Sequence, residues 1–205
     1  MTSFFILSII DKHRKKSYAK DLKVFLELLS PRRDDSILDV GAGLGSIAEN
    51  VTLLSDEVYA LEPNDGKVDY MKAKHPQVKA FSATASQIPF PTSYFDKIYI
   101  VSAYHHFPDQ GDALEEVRRV MKKEGILLIH ELDPEGGGRL LSFFGTKILR
   151  KKINFLTPEK LENLLSSHGF KLIEKRSAAH GYFILAKNEK QSDESSGRSV
   201  RFRNQ

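Results

Sequence analysis

The chain has 205 residues, 40% of them hydrophobic, which is enough for one domain with a packed core and too few for two ordinary domains. It contains no cysteine, which excludes disulfides, thiolate metal sites and thiol nucleophiles and suits the cytosol or its membrane face. The net charge of +4 is too mild to imply nucleic-acid binding, but it is unevenly placed: residues 1–33 carry eight basic and three acidic side chains, and residues 136–158 carry five basic and none acidic.

The first apolar run, Phe4–Ile10, is interrupted by Ser8 and lies far below the roughly 20 residues that span a bilayer. No basic stretch precedes it, so it reads as neither anchor nor export signal. Tyr18, Leu22, Phe25 and Leu29 recur at helical spacing and predict a helix over Lys15–Ser30, stopped by Pro31. Residues 1–33 are thus expected to form a basic helical segment ahead of the core.

Short β-rich runs then alternate with helical segments. Strands are predicted at Ser36–Val40, Glu57–Leu61, Val78–Ser82, Phe95–Ser102, Gly125–Leu132, Phe170–Arg176 and Tyr182–Lys187. Helices are predicted at Ser46–Leu54, Asp65–Lys74, Gln110–Met121 and Pro158–His168, the last with Thr157 as N-cap and proline in its first turn. The alternation implies an α/β fold with a mostly parallel sheet and helices on both faces. Ser177–Gly181 leaves no room for a helix, so the last two strands should pair antiparallel. Residues 188–205 are mostly polar and read as a disordered tail.

Between the first predicted strand and helix lies Asp39-Val40-Gly41-Ala42-Gly43-Leu44-Gly45. Glycines here permit unusual backbone angles and close approach of a ligand to the main chain, and the following helix offers unpaired N–H groups. Ser46 stands where a dinucleotide fingerprint wants glycine or alanine, and Ser46-Ile47 excludes the Lys-Ser/Thr of a P-loop. Glu62 ends the second strand run, about 20 residues on, where an acid can accept both hydroxyls of a ribose.

With these residues the chain resembles the class I S-adenosylmethionine-dependent methyltransferases, particularly the group that includes the ubiquinone/menaquinone C-methyltransferases. The likeness extends over about Asp34–Lys187 and is carried by Leu38–Gly45, Glu62-Pro63, Ala83–Pro91, Phe95-Asp96, His105–Asp109 and Glu116–Gly125. It implies a Rossmann-like seven-stranded sheet with a reversed last strand and S-adenosyl-L-methionine across the carboxyl ends of the central strands. Asp39 and the Gly41, Ala42, Gly43 and Gly45 backbone would hold the methionine part, with Ser102 also on the cofactor side. Glu62 would hold the ribose, Thr84 and Ala85 the adenine edge, and Pro63 and Ile88 its faces. Thr84 stands where the family usually carries Asp or Asn.

Methyl transfer from a sulfonium is an in-line displacement for which alignment and exclusion of water supply much of the acceleration, so a general base is optional. His105 and His106 follow the fourth strand, on the ligand side of the sheet, and are the candidates for proton transfer; capping a loop and shaping the pocket are their other possible roles. Tyr104 competes with them as a lining residue. His130, Glu131 and Asp133 end the fifth strand, with Glu131 read as a solvated acid, while His13, His75, His168 and His180 read as surface residues. No metal-ligand spacing is present.

The resemblance makes the two basic stretches a cap over the acceptor pocket. In residues 136–158, Leu140, Leu141, Phe144 and Ile148 at helical spacing accompany Lys147, Arg150, Lys151 and Lys152; a basic amphipathic helix suits either a lid or an anionic membrane surface. The expected acceptor is a small apolar molecule, lipid- or quinone-like, and nucleic acid is disfavoured for want of a base-stacking surface. The other reading is a non-catalytic S-adenosylmethionine-binding or scaffold protein.

Overall fold

The computed structural model describes residues 4–134, 154–179 and 181–189. Helices α1 (Phe4–Tyr18) and α2 (Leu22–Leu29) lead into β1 (Ser36–Val40), the short α3 (Ala48–Val51), β2 (Glu57–Glu62), α4 (Asp65–Lys74), β3 (Lys79–Ser82) and β4 (Phe95–Val101). A single 3-10 turn (Tyr104–His106) precedes α5 (Gln110–Val120) and β5 (Met121–Glu131), followed by α6 (Pro158–Ser167), β6 (Phe170–Ala178) and β7 (Gly181–Asn188).

The described strands form one sheet in the order β3-β2-β1-β4-β5-β7-β6. β7 runs antiparallel to both neighbours, while the remaining pairs are parallel, so the expected Rossmann-like sheet with a reversed last strand is present. The strand order reverses direction between β1 and β4, and the crevice at their carboxyl ends is where such sheets take ligands.

Alternation along each strand divides the core into two layers. Leu38 and Val40 of β1, Ile98 and Ile100 of β4, and Leu127 and Ile129 of β5 meet Leu114 and Val117 of α5 and Leu161 and Leu165 of α6. Ile37, Val58, Ala60, Tyr99 and Leu128 point the other way, onto Phe25 and Leu29 of α2, Val51 of α3 and Met71 of α4. By the same alternation Asp39 and Glu62 fall on the α2–α4 face, whereas Glu131 falls on the α5–α6 face.

The predicted single helix over Lys15–Ser30 is two helices. The chain turns at Ala19–Asp21 because the buried Asp21 carboxylate accepts the backbone N–H of Ala179 at 2.8 Å, a partner far away in sequence. Ser30, before Pro31, closes α2 in the left-handed region (φ 45°). The helix expected over Ser46–Leu54 is regular for only four residues; Asn50 donates to the Ser46 carbonyl and Thr52 to that of Glu49, local bonds that compete with helix continuation. β5 starts at Met121, four residues before the predicted Gly125, because Met121 already pairs with Phe95 across an irregularity in β4.

Residues 136–153 of the predicted basic lid and the predicted tail from residue 190 onward lie outside the described residues. β7 continues through Asn188, which is buried and donates to the Met121 and Lys122 carbonyls at 3.3 and 3.1 Å. No described helix is long and apolar enough to cross a membrane.

Candidate active site

The glycine loop is bolted to the end of β2. The N–H groups of Gly41 and Ala42 both donate to the Leu61 carbonyl, at 2.8 and 3.0 Å, and the Gly43 N–H donates to Glu62 Oε2 at 3.0 Å. Gly41 and Gly45 have φ of 79° and 78°, a region that side chains rarely enter. A Cβ on Gly41 would lie 2.6 Å from the Ala103 Cβ, so this glycine is required by the neighbouring β4 exit as well as by its backbone angle.

Glu62 is 5% exposed. Its Oε1 accepts the Asn64 N–H and the Lys67 ammonium, each at 3.2 Å. A carboxylate offers about four lone-pair positions, so three are engaged by the protein. The Lys67 contact is the one that a ligand hydroxyl can replace, since Lys67 itself is 37% exposed. Asp39, also buried, sits level with Tyr99 across the β1–β4 register. Burial first, and the Asp39 charge second, hold the Tyr99 phenol well above its ordinary range and therefore neutral.

Tyr18, from the end of α1, reaches over this floor. Its hydroxyl donates to Ser102 Oγ, and its side chain closes a cavity of about 10 Å³ with Asp39, Gly41, Ala42, Ser46, Ile47 and Val101. That is about the room of one water. Ser102 adopts φ 48° at the exit of β4, and its Oγ lies 3.2 Å from His130 Nδ1. Helical spacing makes Tyr18 a core position of its helix, and the break after it is what brings its hydroxyl into the site.

Thr84 and Ala85 follow β3 on the same edge of the sheet, Thr84 exposed and within 3.3 Å of the Ser86 hydroxyl, and Ala85 half-buried. Pro63 is exposed beside Glu62. Ile88 is buried in the α5–α6 layer, its N–H bonded to Glu116 and its carbonyl to Arg119. The predicted residues Asp39, Gly41–Gly45, Glu62, Pro63 and Ser102 are therefore brought around one crevice, with Thr84 and Ala85 at its edge and Ile88 beneath.

His105 and His106 lie in the 3-10 turn after β4. Contrary to the sequence reading, Glu131 is not solvated: it is 2% exposed, its Oε2 is 2.6 Å from His105 Nδ1, and its Oε1 accepts the Tyr104 N–H at 2.9 Å. His105 is buried, and its Nε2 is 3.1 Å from Nε2 of the exposed His106. Tyr104 is buried and donates its hydroxyl to the Gln110 carbonyl. Alternation sends His130 to the opposite face, edge-on to Tyr18.

His75, read as a surface residue, is 3% exposed. It lies with Lys15 and Glu49 around Asp11, whose carboxylate accepts from Ser46 Oγ and, at 3.3 Å, from Tyr70. This polar cluster pins α1 beside the glycine loop. His13 is exposed and His168 half-buried, while His180 lies outside the described residues. Among the described residues no group of three acidic or histidine side chains is placed to hold a metal ion.

Two buried carboxylates on one face of the sheet and a glycine loop whose backbone has no side chains in the way suit a ligand with an ammonium group and a vicinal diol, as S-adenosylmethionine has. Residues 38–129 match the family model described as a methyltransferase domain. An uncharacterized methyltransferase of Mycobacterium tuberculosis is 27% identical over 168 residues, 71% of this chain and 69% of that protein. A ubiquinone/menaquinone biosynthesis C-methyltransferase of Campylobacter jejuni is 26% identical over 192 residues, 84% of this chain and 78% of that protein. Among solved structures, a SAM-dependent methyltransferase from Aquifex aeolicus superposes with a TM-score of 0.70 at 18% identity, covering 91% of this chain and 99% of that one. By fold, glycine loop and sequence likeness, residues 38–129 are thus a methyltransferase domain similar to the S-adenosylmethionine-dependent enzymes of class I fold.

Proposed function

We propose that this methyltransferase acts on a small apolar acceptor, lipid- or quinone-like, taken up at the face of an anionic membrane. The observation that carries the reading is the polarity of α1. Its inward stripe contains Asp11 and Lys15, which join the buried polar cluster, and Phe4, whose ring meets Tyr70, while its outward face presents Phe5, Ile6, Ile9 and Ile10, with Phe5 72% exposed. Lys12 and Lys16 are exposed on the same helix. A helix with apolar groups outward and lysines beside them suits the headgroup boundary of an anionic bilayer. The Campylobacter relative's role in quinone biosynthesis supports an apolar acceptor.

In this reading Asp39 and the loop backbone from Gly41 to Gly45 hold the amino-acid part of the cofactor, with Ser102 beside them, and Glu62 holds the ribose. Pro63, Ile88, Thr84 and Ala85 frame the base. When bound, S-adenosylmethionine supplies a methyl carbon already activated by a sulfonium, so the protein's remaining tasks are to align the acceptor, exclude water and take the acceptor's proton. His105 and His106 are assigned to the last of these.

Sedimentation with vesicles tests the membrane part. The purified chain is expected to bind phosphatidylglycerol-containing vesicles at low salt, to release as salt rises, and to lose binding when Phe5 and Ile9 are replaced by serine. No binding to those vesicles at low salt overturns the surface role of α1. Calorimetry with S-adenosylmethionine, run beside it, reports on the cofactor site independently.

A further inference from the structure

We propose that Lys67 is a displaceable cation seated on Glu62, where it competes with the ribose diol of an adenosyl ligand and so sets both the affinity for that ligand and the value of one of its two hydroxyls. The inference rests on the reading of Glu62 as the ribose acceptor and names the residue that contests it.

The competition follows from counting acceptor positions oxygen by oxygen. Glu62 Oε2 accepts one donor, the Gly43 N–H at 3.0 Å. Oε1 accepts two, the Asn64 N–H and the Lys67 ammonium, each at 3.2 Å. With about two lone-pair positions on each oxygen, Oε2 keeps one and Oε1 keeps none. A vicinal diol that offers one donor to each oxygen therefore finds a place for its first hydroxyl and must displace a donor for its second. The Asn64 N–H is fixed in the backbone between β2 and the helix that Asn64 caps. The Lys67 ammonium instead ends a flexible stem, and its side chain is 37% exposed. Lys67 is the group that yields.

The place of Lys67 in α4 speaks against an incidental surface pair. It is the third residue of the helix, and its backbone N–H is bonded to Asn64 Oδ1 at 3.1 Å. The unpaired N–H groups of a helix start repel a cation, and Glu or Gln is the favoured occupant of this position after a capping Asn. The acid of that same turn, Asp65, is taken up by the Ser82 hydroxyl. What holds the ammonium against the helix dipole is Glu62, whose side chain is 6% exposed and which is the only ion-pair partner of Lys67 among the described residues.

Moving the ammonium into water costs the contact it leaves, and that cost is subtracted from the binding of any ligand that needs Oε1. A ligand lacking the displacing hydroxyl leaves Lys67 in place and incurs no such cost. Lys67 therefore weakens the hold on the full ribose while leaving one deoxyribose analogue untouched, a pattern that a purely structural lysine does not produce.

Calorimetry with S-adenosylhomocysteine on the full chain tests this; the zwitterion carries no net charge, so a lysine does not simply repel it. Lys67→Met should tighten binding by about three- to fivefold, the scale of a part-exposed ion pair. Lys67→Arg, which keeps the charge, should bind within about twofold of the parent. Of the 2′-deoxy and 3′-deoxy analogues, one should bind the parent and Lys67→Met alike. Tightening of less than about twofold in Lys67→Met, the same tightening in Lys67→Arg, or an equal shift for all three ligands overturns the competition. Glu62→Ala separates this result from the reading beneath it. If that variant binds S-adenosylhomocysteine as the parent does, the ribose is not held by Glu62 and both readings fall. Weakened binding there, with no gain in Lys67→Met, overturns the competition alone.

Discussion

The Gly43 N–H donates to Glu62 Oε2 across 3.0 Å, so the glycine loop and the acid at the end of β2 act as one unit. A change at either residue is felt at both ends of the crevice. Glu62→Ala removes a ligand acceptor and at the same time releases the loop. S-adenosylmethionine affinity should fall by about 1.5–3 kcal/mol, roughly 10- to 150-fold. Calorimetry reads this directly, and an affinity within twofold of the parent would mean that the ribose is held elsewhere.

Gly41 makes a sharper test of the loop backbone. Gly41→Ala places a Cβ at φ 79° and within 2.6 Å of the Ala103 Cβ, so both backbone and packing must give way. The expected cost is about 2 kcal/mol or more, which for a chain of this size lowers Tm by roughly 4–8 °C. An unchanged Tm would show that the Ala103 exit yields freely.

Asp11 couples α1 to the cofactor loop through Ser46 and to the end of α4 through Tyr70 and His75. Asp11→Ala leaves these partners without their common acceptor and should cost about 1.5–3 kcal/mol. Because the lost contacts all tie down one helix, the change should appear as selective protease cleavage inside residues 4–20. Uniform loss of protection throughout the chain would argue against a local latch.

Glu116 clamps the Ile88–Phe90 segment: its Oε2 accepts the Ile88 N–H at 2.9 Å, and its partner Arg119 donates to the carbonyls of Ile88 and Phe90. Burial pushes its carboxyl up, but Arg119 and the Ile88 N–H together outweigh that and hold it below its ordinary value of 4.5. A depressed folded-state pKa gives stability that is fully present above 4.5 and is lost as pH falls through the folded value. Glu116→Gln should therefore flatten the acid limb of the stability curve below 4.5, which denaturant titrations at a series of pH values would detect.

Local signals made much of the fold legible. The boundaries of β1 and α4 were readable because a short apolar run ends in glycine in the first case and Asn64 caps the helix in the second, accepting the Lys67 N–H. The break between α1 and α2 was not, because Asp21 answers to Ala179, on the far side of the chain. In the site, the glycine loop and Glu62 announce themselves by type and spacing. Glu131 and His75 do not, since an acid at a strand end and a histidine after a helix look alike whether buried or exposed. What decides their state is a partner brought by another element, His105 in one case and Asp11 with Glu49 in the other.

The reversal of β7 sets where the polypeptide departs. Tyr182 stands opposite Glu131 at the ligand edge, and Lys187 opposite Ile126 toward the other end, so the backbone arrives beside the crevice and travels away from it. The last described residue, Glu189, therefore stands at the rear of the sheet, and the cofactor edge is left to the loops that follow the parallel strands.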